Sequence, residues 1–236
     1  MKRSLLISTL SVLFIVACSG PHYFLAPDFN SKTAGHKNVA IIPFEMIFTG
    51  KKPEKLTADD IKKIEEGESQ AFQMSLYNNL LRYSRTKNGT IMITFQPYEK
   101  TNQILKDAGL SVRDVWSTDP QKLASILGVD AVVKSRVQKN RYMSDLAAYG
   151  IDLGYSVIQA IGLEFGGALL YALVGPPKTN DIDSQCTLFN GADGSVLWKD
   201  MYKASASWNA PANEVIENLN SNFARHFPYR VKEKKK

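Results

Sequence analysis

The sequence predicts an α/β domain: a mixed sheet flanked by helices, in two or three layers, with a C-terminal antiparallel hairpin and a closing helix. Three observations lead there. Short branched apolar runs of strand composition alternate with segments of helical period. Helix start and stop residues bracket those segments. The last third changes to two strand-like runs separated by Asn, Gly, Asp and Gly, which is hairpin chemistry.

Taken in order, "NVAIIPF" (38–44) is a continuous apolar run that ends at Pro43, the pattern of a buried strand. "TADD" (57–60) starts a helix in which Ile61, Ile64, Phe72, Leu76, Leu80 and Leu81 recur mostly every three or four residues. Glu65, Glu66 and Glu68 are read as its wet face. The Asn88-Gly89 turn leads to "TIMITF" (90–95), a strand, and a shorter helix follows near Tyr98 to Ala108. "STDPQKLASILGVDAVVKSRV" then gives a helix with Pro120 in its first turn, a stop at Gly128, and a strand from about Asp130 to Gln138. "CTLFNGADGSVLWKDMYKASASW" supplies the hairpin. "APANEVIENLNSNFARHFP" supplies the closing helix, with Val215, Ile216, Leu219 and Phe223 inward.

The 236 residues are 44% apolar and 22% charged, enough for one real core. At the N-terminus, Lys2 and Arg3 precede an apolar stretch from Leu5 to Val16, too short to span a bilayer as a stable helix; this is a secretion leader. It ends Ile15-Val16-Ala17-Cys18, which resembles the bacterial lipobox. That resemblance implies a diacylglycerol on the Cys18 sulfur, cleavage after Ala17, and acylation of the new amino group. Several buried acyl chains, at about 0.8 kcal/mol per methylene, anchor a protein far more firmly than one. Ser19 resembles a signal for the outer membrane; inner-membrane anchoring stays open.

The expected organisation is leader 1–17, flexible tether 18–37, a single α/β domain 38–228, and a basic tail 229–236. Of 29 basic residues, Lys2 and Arg3 leave with the leader, so 27 face 23 acidic ones and the excess sits in the tail. A periplasmic address makes nucleic acid an unsuitable partner. Only Cys186 stays a thiol once Cys18 is acylated, so no intrachain disulfide forms.

No residues are assigned to catalysis, metal or cofactor. GxGxxG after a strand, a phosphate loop, HExxH, GxSxG and paired-cysteine zinc patterns are all missing from the sequence. His22 and His36 are read as exposed bystanders in the tether, His226 as a helix-end residue, and Cys186 as a small core residue. An enzyme with an unrecognised site is the remote alternative.

"NVAIIPF", "LASILGVDAVVKSRV" and "LFNGADGSVLW" resemble, in this order, the first strand, the helix-Gly-strand unit and the terminal hairpin of a broad group of envelope proteins. The group includes the TolB N-terminal domain, the curli-secretion lipoprotein CsgG and neisserial-type lipoproteins related to ABC-transport auxiliary components. The resemblance implies a Rossmann-like, non-enzymatic domain used in envelope assembly, secretion or transport. It also raises the alternative of an oligomeric pore of curli-channel kind.

One stretch exceeds a minimal domain of this type: residues 146–175, apolar and Gly-rich. Gly150/Gly154 and Gly162/Gly166 have spacings that let helices approach closely. Asp152 and Glu164 oppose a spanning helix, at about 2.5 to 3.5 kcal/mol each near a bilayer centre. A helical insertion packed on the sheet is the leading reading; a membrane-surface or oligomer contact and a spanning segment are the others. The expected partners are the membrane, through Cys18, and envelope proteins or a second copy of the chain.

Overall fold

A computed structural model describes residues 23–49, 57–86, 89–139, 180–206 and 212–231. The leader, Cys18, His22, Asn88, the 146–175 insertion and the tail beyond residue 231 lie outside the described residues. In chain order the elements are β1 Tyr23–Leu25, α1 Phe29–Thr33, β2 Asn38–Ile41, β3 Glu45–Phe48, α2 Ala58–Arg82, β4 Arg85–Thr86, β5 Gly89–Ile91 and β6 Thr94–Phe95. There follow α3 Tyr98–Asp107, α4 Val112–Ser117, α5 Pro120–Leu127, β7 Ala131–Lys139, β8 Asn180–Asn190, β9 Val196–Ala206, α6 Ala212–His226 and β10 Arg230–Val231.

The main sheet has the order β1-β9-β8-β7-β2-β6, with β3 also on β7. It is mixed: β2 runs parallel to β6 and β7, whereas β7, β8, β9 and β1 pair antiparallel. β2 and β3 share one edge of β7, at Ala131 to Val133 and Arg136 to Lys139 respectively, because Pro43 interrupts what would be a single strand. The antiparallel half is the expected hairpin, longer than its sequence signal because Lys139 pairs with Ile182 and Asn180 with Ala206. A small second sheet, β10-β5-β4, stands apart.

Helices cover both faces. α2 and α6 pack on one, burying Phe72, Leu76, Leu80, Ile216, Leu219 and Phe223 against Val39, Val133, Leu188 and Trp198. On the other, α3, α4 and α5 bury Leu105, Val115, Leu123 and Leu127 against Ala40, Ile42 and Val132. The caps follow the sequence. Thr57 and Asp60 form a capping box on α2, and Asp119 accepts from Gln121 and Lys122 N–H ahead of Pro120. Gly128 ends α5 at φ 64°, where a Cβ would be strained.

Four expectations are corrected. Residues 23–37 are not tether: Tyr23, Phe24 and Leu25 pair with Asp200, Lys199 and Trp198, and Ala26 and Phe29 are buried. Phe29 meets Tyr229 edge-on at 5.5 Å, a distant contact that local Gly, Pro and Asn content does not report. Nor is 229–231 solvated tail, since Tyr229 is buried and Arg230-Val231 pairs with Ile91 and Thr90. "TIMITF" splits at Met92, with β5 in the small sheet and β6 in the main one. Finally, Glu68 is fully buried rather than wet.

Candidate functional site

The lipidation residue predicted from sequence, Cys18, stands five residues ahead of Tyr23. β1 is antiparallel to β9 with Tyr23 opposite Asp200, so the strand begins at its Met201-facing end. Among the described residues, the outer edge of β9 beyond Asp200 carries no strand. Met201 and Tyr202 are exposed there, beside exposed Tyr23, Phe24 and Leu25.

The inner side of this corner is latched. Asp200 is nearly buried, and its carboxylate accepts from Met201 N–H at 2.9 Å and meets His226 Nδ1 at 3.0 Å. The His226 ring lies 6.2 Å from that of Tyr23. His226 closes the last turn of α6, as expected of a helix-end histidine, and the contact ties α6 to β9 beneath β1.

The same end of the sheet holds a buried ion pair. Lys139, the last residue of β7, donates from Nζ to Glu68 Oε2 at 3.0 Å, with side-chain exposures of 6% and 0%. Its ammonium also lies 5.3 Å from the Phe72 ring centroid. Sequence reasoning missed Glu68, yet a signal was present. Ile64, Phe72, Leu76 and Leu80 fall on a stripe of four-residue steps, and Glu68 fills the vacant slot in it. Its neighbours differ: Glu65 is held by Arg113, and Glu66 reaches Arg113 and Lys62 at 3.8 and 4.0 Å.

Two clefts flank the sheet. One, of about 360 Å³, opens beyond the carboxyl end of β2, lined by Pro43, Glu66, Asn102, Lys106, Ser111 and Val115. This is the switch point of the parallel strands, since α2 leads from β2 to β6 on one face and α3 to α5 return to β7 on the other. Its lining residue Asn102 is held by buried Gln73: Gln73 Nε2 donates to Ile41 O at 2.7 Å and to Asn102 Oδ1 at 2.9 Å, and Asn102 Nδ2 returns a bond at 3.0 Å. The chain leaves β2 through Pro43, with no glycine-rich turn to cradle phosphate. The other cleft, of about 550 Å³, lies at the opposite end around His36, Asp130, Asn190 and Gly191.

His36 is thus no bystander. It is half-buried, its Nδ1 lies 2.6 Å from the Tyr229 hydroxyl, and burial lowers its pKa. Cys186 is wholly buried in the core, and burial pushes its thiol up to about 12. A protonated, inaccessible thiol is no nucleophile. Among the described residues no three His, Cys, Asp or Glu side chains are grouped to hold a metal ion, and no helix is long and apolar enough to cross a membrane.

No family model matches the chain, and no curated protein does. Solved structures do. Lipoprotein GNA1162 from Neisseria meningitidis is 12% identical over 80% of this chain and 96% of that one, with a TM-score of 0.44. The PelC dodecamer from Paraburkholderia phytofirmans gives 11%, 84% and 90%, and 0.41. The LpoB C-terminal domain from Salmonella enterica gives 13%, 76% and 94%, and 0.38. These are loose likenesses of shape.

Chemically, the described residues offer a buried thiol, a hydrogen-bonded Gln73–Asn102 pair and a latched histidine. Against these stands one corner of exposed aromatic and apolar side chains, at the start of β1. That corner is suited to contact.

Proposed function

We propose that the chain is a lipid-anchored, periplasm-facing envelope protein that acts by binding, as a non-catalytic accessory or structural part of a transport, secretion or assembly complex. The observation that carries this reading is Ile15-Val16-Ala17-Cys18 at the end of a basic-then-apolar leader. Thioether-linked diacylglycerol on Cys18, with an acylated amino group, anchors the mature chain, and Ser19 favours the outer membrane. Its partners are the bilayer and envelope proteins or a second copy of itself.

The inaccessibility of Cys186 supports a role in binding rather than nucleophilic chemistry. Intact-mass measurement on protein purified from its native host tests the anchor. The mature chain should begin at Cys18 and carry the mass of the acyl groups, and C18A should leave the membrane fraction. A bare Cys18 sulfur overturns the proposal.

A further inference from the structure

Resting on that anchor, we infer that β1 and the outer edge of β9 from Met201 onward lie against the bilayer that holds Cys18, at the boundary of headgroups and acyl chains. Chain length is the first reason. From Cys18 to Tyr23 is five residues, which span at most about 18 Å fully extended. Tyr23 is fixed opposite Asp200, and the strand direction brings the upstream chain from the Met201–Ala206 side. Those six residues of β9 are themselves about 20 Å long. A tether of at most about 18 Å is no longer than that stretch of β9, so the sheet cannot stand far off from the membrane that holds the acylated sulfur.

The second reason is the surface. Five of the nine exposed large apolar or aromatic residues among the described ones are Tyr23, Phe24, Leu25, Met201 and Tyr202, all at this corner. Tyrosine, with an apolar ring and a polar hydroxyl, suits the interface of a bilayer. Lys203 stands close by, 87% exposed while paired with Asp183 at 3.5 Å, and adds attraction to anionic headgroups.

Register gives the third reason. Lys139 pairs with Ile182 and Asn180 with Ala206, so the chain departs before residue 140 and returns at residue 180 from this same end. The apolar, Gly-rich 146–175 sequence lies between those points. The opposite end carries the polar turn at 191–195, where Lys32 binds Asp193 and Ser195. The exposed apolar residues of β1 and of β9 from Met201 onward thus lie toward one end of the sheet, and the polar turn lies at the other.

Fluorescent thiol reporters on M201C and, at the far turn, A192C test the orientation in the full mature acylated chain. Cys186 is buried and Cys18 is blocked by lipid, so each variant takes one label. The chain is reconstituted in phosphatidylethanolamine–phosphatidylglycerol vesicles carrying a lipid-borne nitroxide quencher at the headgroup boundary. Quenching at position 201 should exceed that at 192 by about threefold or more, because interfacial elements sit only about 5–10 Å into that boundary. A chain that floats with the vesicles but quenches equally at both positions overturns the orientation alone. Failure to float overturns the anchor and the orientation with it. Disulfide-linked M201C dimers in place of quenching assign the edge to a second copy, and overturn the membrane contact.

Discussion

The Glu68–Lys139 pair gives the sharpest energetic prediction, because both groups sit almost wholly out of water. At 3.0 Å and an effective dielectric of about 20, their attraction is on the order of 5 kcal/mol. Moving each charge out of water costs several kcal/mol, so the pair as a whole is close to neutral against well-packed apolar side chains. Removing one member is different, since the other stays buried and loses this 3.0 Å partner. E68L or K139M should each cost about 3 to 5 kcal/mol, a large part of the 5 to 15 kcal/mol that stabilises a typical domain. K139M also loses the contact with the Phe72 ring, worth about 0.5 to 2 kcal/mol. The double variant E68L/K139M should return to within about 2 kcal/mol of the parent. Urea unfolding of the four proteins gives the coupling directly. Single variants that each cost under about 1 kcal/mol, or a double variant whose loss equals the sum of the singles, would refute the reasoning. The pair also pins the end of β7 to α2 where Thr49 N–H donates to Lys139 O at 2.8 Å, so hydrogen exchange in K139M should rise first there.

Further outcomes follow from other residues. A Cβ on Gly191 would stand 2.7 Å from the Asp130 carbonyl oxygen and 2.8 Å from Ala124 Cβ, so G191A should lower stability by about 1 to 3 kcal/mol; an unchanged urea midpoint would contradict that packing. Burial lowers the pKa of His36, so the unfolded chain takes up a proton as pH falls through about 6.5 while the folded chain resists it. Stability should therefore decline from there towards the lowered folded value, and H36Q should flatten that slope in a pH series of unfolding curves. With its thiol pushed up to about 12 and no access from solvent, Cys186 should resist iodoacetamide in the native protein and react fully in urea. D119A removes the side chain that accepts from Gln121 and Lys122 N–H, and should cost about 1 kcal/mol by thermal unfolding.

The legibility of the chain follows the range of the interactions involved. Signals held within a few residues were readable: the Thr57 cap, Pro120 and Gly128 around α5, the branched runs of β2 and β7, and the Asn-Gly-Asp-Gly turn between β8 and β9. α4 was not anticipated, although Ser111 and Asp114 form a capping box, because six residues are too few for a helical period to show. Glu68 was misplaced because a charge on an apolar stripe reads as surface until its counter-ion, 71 residues away in the chain, is known.

By itself the sequence determined the α/β class and the order of its main helices and strands, since each rests on local period, capping or composition, and it carries the Cys18 motif on which the proposed anchor rests. Only the tertiary structure decided that Tyr23–Leu25 is the edge strand on β9, that Tyr229–Val231 belongs to the body, and that Glu68 on the apolar stripe of α2 and His36 ahead of β2 have distant partners. The physical reason is that strand pairing and charge burial are stabilised across long loops. Nothing in the five or six residues around such a position records the partner that makes it favourable.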